Sequence, residues 1–229
     1  MPVVVAFLSQ KGGVGKSTLA RALAILAAES RVSVLIADLD AQQNTVMRWH
    51  EVRTSRGMKP KIVAQAFNNI DEALQDAGDH QLVIIDASGR ASSATLDITR
   101  HSHLVVQPTG PGLDDLHPGV LLFHELVGQG IPSSRLIFAL CRTATKEEEF
   151  AARTYLGKAQ YAVLPGSIPE RATYRAAQNG GHAIIETEDD ALNERAEELL
   201  TALLDRLSVE IAQMKTQATT KLGRGRRGT

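Results

Sequence analysis

A glycine-rich loop between an apolar strand and a helix constrains this chain more than any other stretch of its sequence. Residues 3–8 are continuously apolar, residues 9–18 read SQKGGVGKST, and an alanine- and leucine-rich run follows from Leu19. Glycines let backbone N–H groups point into a loop, and the start of a helix adds its positive end at the same place. This order predicts a phosphate-binding loop, with Lys16 at the β- and γ-phosphates and Ser17 on Mg²⁺.

The loop departs from the strict P-loop pattern at one position. Gln10 stands where that pattern has glycine, and an additional lysine, Lys11, opens the loop. A glycine-rich turn with incidental lysines is the alternative interpretation. We favour nucleotide binding because the strand precedes and the helix follows, as the motif requires. The residues predicted to bind the nucleotide here are Gly12, Gly13, Val14, Gly15, Lys16, Ser17 and Thr18.

The length and charge of the chain favour a single α/β domain that has no overall attraction to nucleic acid. The chain has 229 residues, a formal net charge of −1 and an isoelectric point near 6.7. We predict one domain over residues 1–215 and a basic, unstructured tail over residues 216–229. The tail carries Lys221, Arg224, Arg226 and Arg227 and no acidic residue, so it is either simply solvated or a contact for nucleic acid.

The cysteine content and the amino-terminal sequence predict a cytoplasmic protein. Cys141 is the single cysteine, which excludes a disulfide within the chain and suits a reducing compartment. The apolar run 3–8 is too short for a signal peptide or a membrane-spanning helix. The closest histidine pair, His101 and His103, has no other ligand type nearby in sequence, and we interpret both as structural or surface residues.

Predicted strands and helices alternate along the whole chain. This alternation predicts an α/β fold of the P-loop type, with a mostly parallel twisted sheet and helices on both faces. After the first strand, the predicted strands cover residues 32–38, 62–67 at a sheet edge, 82–86, 104–107, 135–141 and, as the last one, 161–164. The predicted helices cover residues 19–29, 44–56, 71–77, 92–100, 113–128 with an interruption near Pro118, 146–157, 170–179 and 190–215.

Three acidic residues stand at the ends of predicted strands, where open α/β sheets bind their ligands. Asp86 ends an apolar strand, an arrangement that holds Mg²⁺ beside a P-loop serine. Asp38 and Asp40 lie two apart, and we expect Asp38 to help hold Mg²⁺ while Asp40 positions the water that attacks the phosphate. Capping of the segments that follow is the alternative role for all three aspartates.

The motifs together identify a family resemblance. The segments KGGVGKST at 11–18, DLDAQ at 38–42, VIID at 83–86 and PGSIP at 165–169 resemble the ParA/MinD family of deviant Walker A ATPases. The short chain, which starts directly at the P-loop strand, is most similar to the small ParF-like partition ATPases of the ParA type Ib group. The resemblance implies an ATPase that dimerises on ATP, binds DNA non-specifically on the nucleoid, and positions a cargo such as a plasmid or chromosome. It also implies a ParB- or ParG-like partner protein that stimulates hydrolysis.

The same resemblance assigns roles to individual residues. It implies that Lys11 reaches the phosphates bound by the partner subunit, in the manner of an arginine finger. It places Arg142, Ile168 and Pro169 at the base of the nucleotide. The chain departs from the family at residues 87–90, which lack the usual proline pair, and at Ala41, where proline is usual. A Cys-Arg-Thr segment, 141–143, also stands where relatives often have asparagine at the base site.

A basic face for DNA would have to be local, and the membrane and enzyme alternatives are less well supported. The candidates for phosphate contacts are Arg171 and Arg175, together with the tail arginines. MinD-like relatives attach to membranes through a terminal amphipathic helix, but residues 221–229 contain a single leucine, which argues against an anchor. A metabolic ATP-dependent enzyme on the same fold is the second alternative. A conjugation-linked or other cargo-positioning ATPase would share the chemistry and differ only in its cargo.

Overall fold

The computed structural model describes residues 2–40, 42–89 and 93–225, and in this part of the chain strands and helices alternate. The strands are β1 (Val3–Phe7), β2 (Val34–Asp38), β3 (Val63–Ala66), β4 (Leu82–Asp86), β5 (Leu104–Thr109), β6 (Leu136–Thr143), β7 (Ala162–Val163) and β8 (Ile168–Pro169). The helices are α1 (Lys16–Glu29), α2 (Thr45–Ser55), α3 (Ile70–Gln75), α4 (Ser93–His101), α5 (Leu113–Gly128), α6 (Lys146–Lys158), α7 (Ala172–Asn179) and α8 (Asp190–Gly225).

The strands form one sheet, which confirms the predicted fold class. Seven strands follow the order β3-β2-β4-β1-β5-β6-β7, β8 pairs with β6, and every pairing among the described strands is parallel. β3 lies at a sheet edge, as predicted for this short strand, and three of its four residues are exposed. β1 lies at the centre between β4 and β5, so the loop that follows β1 leaves from the middle of the sheet.

Helices cover both faces of the sheet, and the central strands are therefore apolar on both sides. Side chains alternate along β1: Val5 and Phe7 join one cluster of buried residues, whereas Val4 and Ala6 join the other. The first cluster contains residues of α1, α2, α7 and α8, and the second contains residues of α3, α4, α5 and α6. Two-sided burial explains why these strands are continuous apolar runs in the sequence.

Helix α5 differs from its prediction, because Pro118 does not interrupt it. The helix is continuous from Leu113 to Gly128 with the proline inside it. Burial of its inner face compensates for the backbone hydrogen bond that proline removes. The next residue, Gly119, permits close packing on the sheet, since a Cβ there would lie 2.3 Å from Gln107 Nε2 and 2.9 Å from Phe138 Cε1.

Two other elements also differ from their predictions. β8 follows the strand that we expected to be the last, and its pairing with β6 is a two-residue contact that leaves no periodic signal in the sequence. Helix α8 continues to Gly225, past the boundary predicted at residue 215, whereas residues 226–229 lie outside the described part. The division into a domain and an unstructured tail stays a prediction. None of the helices in the described part is both long and apolar enough to cross a membrane.

Candidate functional site

A cavity of about 480 Å³ lies at the carboxyl ends of the central strands. Its lining residues come from the loop after β1, from α1, from the loops after β2 and β4, and from the end of β6 through α7. They are Gly12, Gly13, Gly15, Lys16, Ser17, Thr18, Arg21, Asp40, Gln43, Thr45, Ala87, Cys141, Arg142, Ile168, Pro169, Glu170, Arg171, Tyr174, Arg175 and Gln178. A larger cavity of about 670 Å³ between α6 and α8 contains none of the predicted site residues.

The glycines of the loop are required by its backbone. Gly13 and Gly15 have φ angles of 75° and 113°, in the left-handed region that favours glycine. Gly15 also caps α1, and a Cβ there would lie 3.2 Å from the Sγ atom of Cys141. The side chain of Val14 is buried and does not line the cavity, so any contact that it makes with a nucleotide comes from its backbone.

Lys16 places its ammonium group inside the loop. The side chain is only 7% exposed, and its Nζ atom donates a hydrogen bond to the carbonyl oxygen of Lys11 at 3.1 Å. Burial lowers the pKa of Lys16, and the nearby carboxyl groups of Asp86 and Asp40 oppose that effect. A buried cation in a glycine-rich loop at the start of a helix is an environment that suits phosphate.

Asp86 ends β4 opposite Asp38 of β2 and is 1% exposed. Burial raises the pKa of Asp86 to about 7, and the hydrogen bond from the Ser17 hydroxyl partly opposes this shift. Its Oδ1 atom is buried and has no hydrogen-bond partner in the structure. A buried carboxylate oxygen without a partner, beside a serine hydroxyl, fits Mg²⁺, which prefers oxygen ligands. Ser17 and Asp86 would hold the ion, and bound Mg²⁺ would supply positive charge that neutralises the phosphates.

Asp38 and Asp40 hold the turn that leads into α2. Asp38 accepts hydrogen bonds from the backbone N–H of Asp40 at 2.9 Å and of Val46 at 3.2 Å, one on each carboxylate oxygen. A metal contact by Asp38 would use the lone pairs that remain, and that role stays a prediction. Asp40 lines the cavity and also accepts a hydrogen bond from the N–H of Gln43 at 3.1 Å. Its position is therefore compatible with both the capping role and the water-positioning role.

Lys11 points away from the cavity within its own subunit. Its Nζ atom forms an ion pair at 3.0 Å with Asp115, in the first turn of α5, and the lysine side chain is 38% exposed. Lys11 does not line the cavity, unlike Lys16. The structure of one subunit thus leaves the predicted contact with a partner's phosphates as a prediction.

The strand β8 brings the predicted base contacts to the cavity. Ile168 and Pro169 form this strand and line the cavity together with Arg142. Arg142 has a φ angle of 59°, and its Nε atom lies 3.4 Å from Oε2 of Glu170. The ion pair orients the arginine along the cavity, and contact with the base stays a prediction.

Among the described residues, the structure does not bring the predicted DNA contacts Arg171 and Arg175 close to Arg224. Arg171 and Arg175 line the cavity of about 480 Å³, and Arg175 pairs with Glu170. In contrast, Glu210 of α8 accepts a hydrogen bond from Ser134, immediately before β6 begins, so α8 leaves the domain at the amino ends of the strands. Residues 211–225 extend this helix by about 22 Å.

The part of α8 that carries Arg224 is therefore at the opposite end of the sheet from Arg171 and Arg175 in one subunit. This separation arises because α8 runs the full length of the sheet before the basic segment begins. Arg224 lies in the last turns of α8, whereas Arg226 and Arg227 lie outside the described residues.

Sequence reasoning missed several residues that line the cavity. Arg21, Thr45, Tyr174 and Gln178 were not predicted. Arg21 had a usable signal, because it follows Ser17 by four positions and so shares a helix face with it. Tyr174 and Gln178 had no such signal in the sequence, since only the packing of α7 against the loop brings them to the site.

Comparison with protein families gives this cavity a context. The model of the family described as "CobQ/CobB/MinD/ParA nucleotide binding domain" matches residues 5–185, well over half of the chain. The chain belongs to this family. The predicted relationship to ParA and MinD is thereby confirmed, and the family is one of nucleotide-binding ATPases.

A curated relative supports the same assignment over part of the chain. The chain is 33% identical over 138 residues to "Maintenance of carboxysome distribution protein A" of Gloeobacter kilaueensis. The match covers 59% of this chain and 62% of that protein, so the chain spans less than two thirds of the length of this relative.

Solved structures show the same fold at low sequence identity. The septum site-determining protein MinD of Pyrococcus horikoshii, complexed with Mg-ADP, has a TM-score of 0.70 at 16% identity, over 92% of this chain and 99% of that one. An ATP complex of a McdA variant from Cyanothece has a TM-score of 0.69 at 16% identity, over 88% and 96%. A ParA family ATPase of Chlorobium tepidum has a TM-score of 0.67 at 15% identity, over 88% and 99%.

Proposed function

We propose that this chain is a Mg²⁺-dependent ATPase that dimerises on binding ATP and in that form binds DNA non-specifically to position or segregate a cargo. The observation that carries the proposal is the group at the phosphate end of the cavity. There, buried Lys16 lies beside Asp86, which has an unpartnered oxygen and is hydrogen-bonded to Ser17. These residues provide a cation for the phosphates and oxygen ligands for Mg²⁺.

Hydrolysis in such a site depends mainly on positioning and on charge. Water attacks the terminal phosphorus, the phosphoanhydride bond breaks, and ADP and phosphate leave. Lys16 stabilises the negative charge on the phosphates, and Asp40 orients the attacking water, because it is the acidic residue of the β2 loop that lines the cavity. Asp38 fixes that loop through the hydrogen bonds that it accepts from backbone N–H groups, including those of Asp40 and Val46.

Dimerisation would complete the site. For Lys11 to reach the phosphates of a partner subunit, its ion pair with Asp115 must open. Ion pairs that are partly exposed contribute about 0–1 kcal/mol, so this contact is a weak restraint. The phosphates of a bound nucleotide would present a stronger acceptor than one carboxylate, which favours the exchange when ATP is present.

DNA binding is assigned to the basic end of α8. Past Glu210 the helix extends beyond the sheet, and residues 211–229 contain lysines and arginines but no acidic residue. Contacts between such residues and phosphates do not depend on base sequence and weaken steeply with salt. The cargo would be a plasmid, a chromosome or, in view of the name of the curated relative, a carboxysome. A ParB- or ParG-like protein would stimulate hydrolysis and release the dimer from DNA.

The proposal is tested by co-sedimentation with non-specific duplex DNA at low salt, with ATP, with ADP and without nucleotide. We expect binding only with ATP, and loss of binding in Lys11→Ala. Lys158→Ala is the matched control, because that lysine is exposed and lines neither cavity. Equal binding in all nucleotide states would contradict the switch. Absence of binding in every state would favour a metabolic ATP-dependent enzyme on the same fold.

A second pair of variants assigns the DNA surface. The triple variant Arg224→Gln, Arg226→Gln, Arg227→Gln should no longer sediment with DNA in the presence of ATP, whereas its nucleotide affinity should stay unchanged. Glutamine at Arg171 and Arg175 should instead change nucleotide affinity, because both residues line the cavity. If instead the variants at Arg171 and Arg175 lose DNA binding and the triple variant keeps it, the DNA surface lies at the cavity end of the sheet.

A further inference from the structure

Arg21 is a buried cation that lines the nucleotide cavity. It lies on α1, one helical turn after Ser17, and is only 6% exposed. Its guanidinium carbon lies 5.5 Å from the centre of the Trp49 ring, so the indole covers one side of the charge. Arg21 is one of the residues that line the cavity.

The hydrogen bonds that Arg21 makes in the described part of the chain go to uncharged groups. It donates to the carbonyl oxygen of Thr45 and to Oε1 of Gln178, the latter at 3.2 Å, and both acceptors are neutral. Its Nε atom is buried without a partner, and no carboxylate in the described part lies within ion-pair distance. Burial lowers the pKa of Arg21 to about 10, against the opposing effect of the more distant Asp86 and Asp38.

A second arginine near the same indole, Arg53, shows how this protein compensates a buried arginine. Arg53 lies 5.6 Å from the centre of the Trp49 ring and is 2% exposed. Its two terminal nitrogens donate to both carboxylate oxygens of Glu186, at 2.8 and 2.9 Å. Arg53 does not line the cavity. Buried charges are normally paired, so the missing acid beside Arg21 points to an anion that enters from the cavity.

We propose that Arg21 is a second fixed cation of the nucleotide cavity, which contacts the phosphate chain of the bound nucleotide beside Lys16. This inference rests on the proposed function, because it takes the ligand to be a nucleotide. The bonds to Thr45 and Gln178 hold the guanidinium in place before the ligand arrives, so little side-chain entropy is lost on binding. They also join α1 to the start of α2 and to α7 around the ligand.

The test measures the affinity of Arg21→Gln for ATP, ADP and AMP in the presence of Mg²⁺, by titration calorimetry below the melting temperature of each variant. We expect about a tenfold or greater loss for ATP and ADP, a smaller loss for AMP, and partial recovery in Arg21→Lys. Arg53→Gln is the matched control: it should melt at a lower temperature, because Glu186 loses its partner, but bind nucleotide with unchanged affinity when folded.

A spectroscopic measurement separates ligand contact from a structural role. Trp49 is the single tryptophan of the chain, so its fluorescence reports on both arginines. We expect ADP to change this fluorescence in the wild type and in Arg53→Gln, but far less in Arg21→Gln at a saturating ADP concentration.

Two results would overturn the inference alone. The first is that Arg21→Gln binds the nucleotides with wild-type affinity. The second is that its affinity falls equally for ATP, ADP and AMP while its melting temperature falls as far as that of Arg53→Gln. If the wild-type protein binds none of the three nucleotides, the proposed function fails together with the inference.

Discussion

Replacing Asp86 by asparagine should make the nucleotide-free protein more stable at neutral and alkaline pH. The ionised carboxylate is buried, and one of its oxygens has no partner. Asparagine has nearly the same shape and can still accept the hydrogen bond from Ser17, but it cannot ionise. The substitution therefore removes the cost of a buried charge and leaves the surrounding packing unchanged.

The magnitude follows from the difference in proton affinity between the folded and unfolded states. Burial raises the pKa of Asp86 from the ordinary 3.8 to about 7. A carboxyl group whose pKa is raised in the folded state destabilises that state progressively as the pH rises from about 4 to about 7. Each pH unit in this range lowers the free energy of unfolding by about 1.4 kcal/mol. Between pH 5 and pH 8, about two such units are crossed, so the wild type should lose on the order of 3 kcal/mol relative to the variant.

The assay is urea unfolding of both proteins at pH 5 and pH 8, with a chelator and without nucleotide. Groups that titrate in both proteins cancel in the difference between their free energies of unfolding. We expect that difference to grow in favour of Asp86→Asn as the pH rises. Addition of Mg²⁺ and ADP at pH 8 should then stabilise the wild type more than the variant, since the ion binds the carboxylate. A difference that is independent of pH would refute the reasoning, as would a variant that is less stable at pH 8.

The remaining predictions concern the loop, the dimer and the core. Lys16→Ala should abolish ATP binding in calorimetry, because the buried ammonium at the phosphate end is lost; retained ATPase activity would remove the P-loop assignment. Asp115→Ala should raise the ATP-dependent dimer association constant, measured by sedimentation velocity, by up to about fivefold for each Lys11 that is freed, since each ion pair contributes about 0–1 kcal/mol. Gly181→Ala should lower the free energy of unfolding by about 1–3 kcal/mol, because φ is +86° and a Cβ would lie 2.9 Å from the backbone nitrogen of Arg53. Gly57 has a φ angle of +63°, and a Cβ there would have no atom within 4 Å. Gly57→Ala should therefore lower the free energy of unfolding by less than Gly181→Ala in the same urea assay.

The sequence by itself determined the order of the elements, the glycine-rich loop after β1 and the acidic ends of the strands. These features are encoded locally. Strands buried on both faces are continuous apolar runs, and the left-handed backbone of Gly13 and Gly15 selects glycine. Asp86 could be identified because it directly follows such a run, and parallel strands place their carboxyl ends at one edge.

The tertiary structure alone decided which residues share the site and which do not. The pairing of β8 with β6 brings Ile168 and Pro169 to the cavity, and the packing of α7 brings Gln178 there. The length of α8 separates Arg224, near the end of that helix, from Arg171 and Arg175. Arg21 was visible in the sequence as one more arginine on a helix. Its significance depends on the lack, in the described part of the chain, of a carboxylate within ion-pair distance. No local pattern encodes this, because the charges that surround a buried group come from distant parts of the chain.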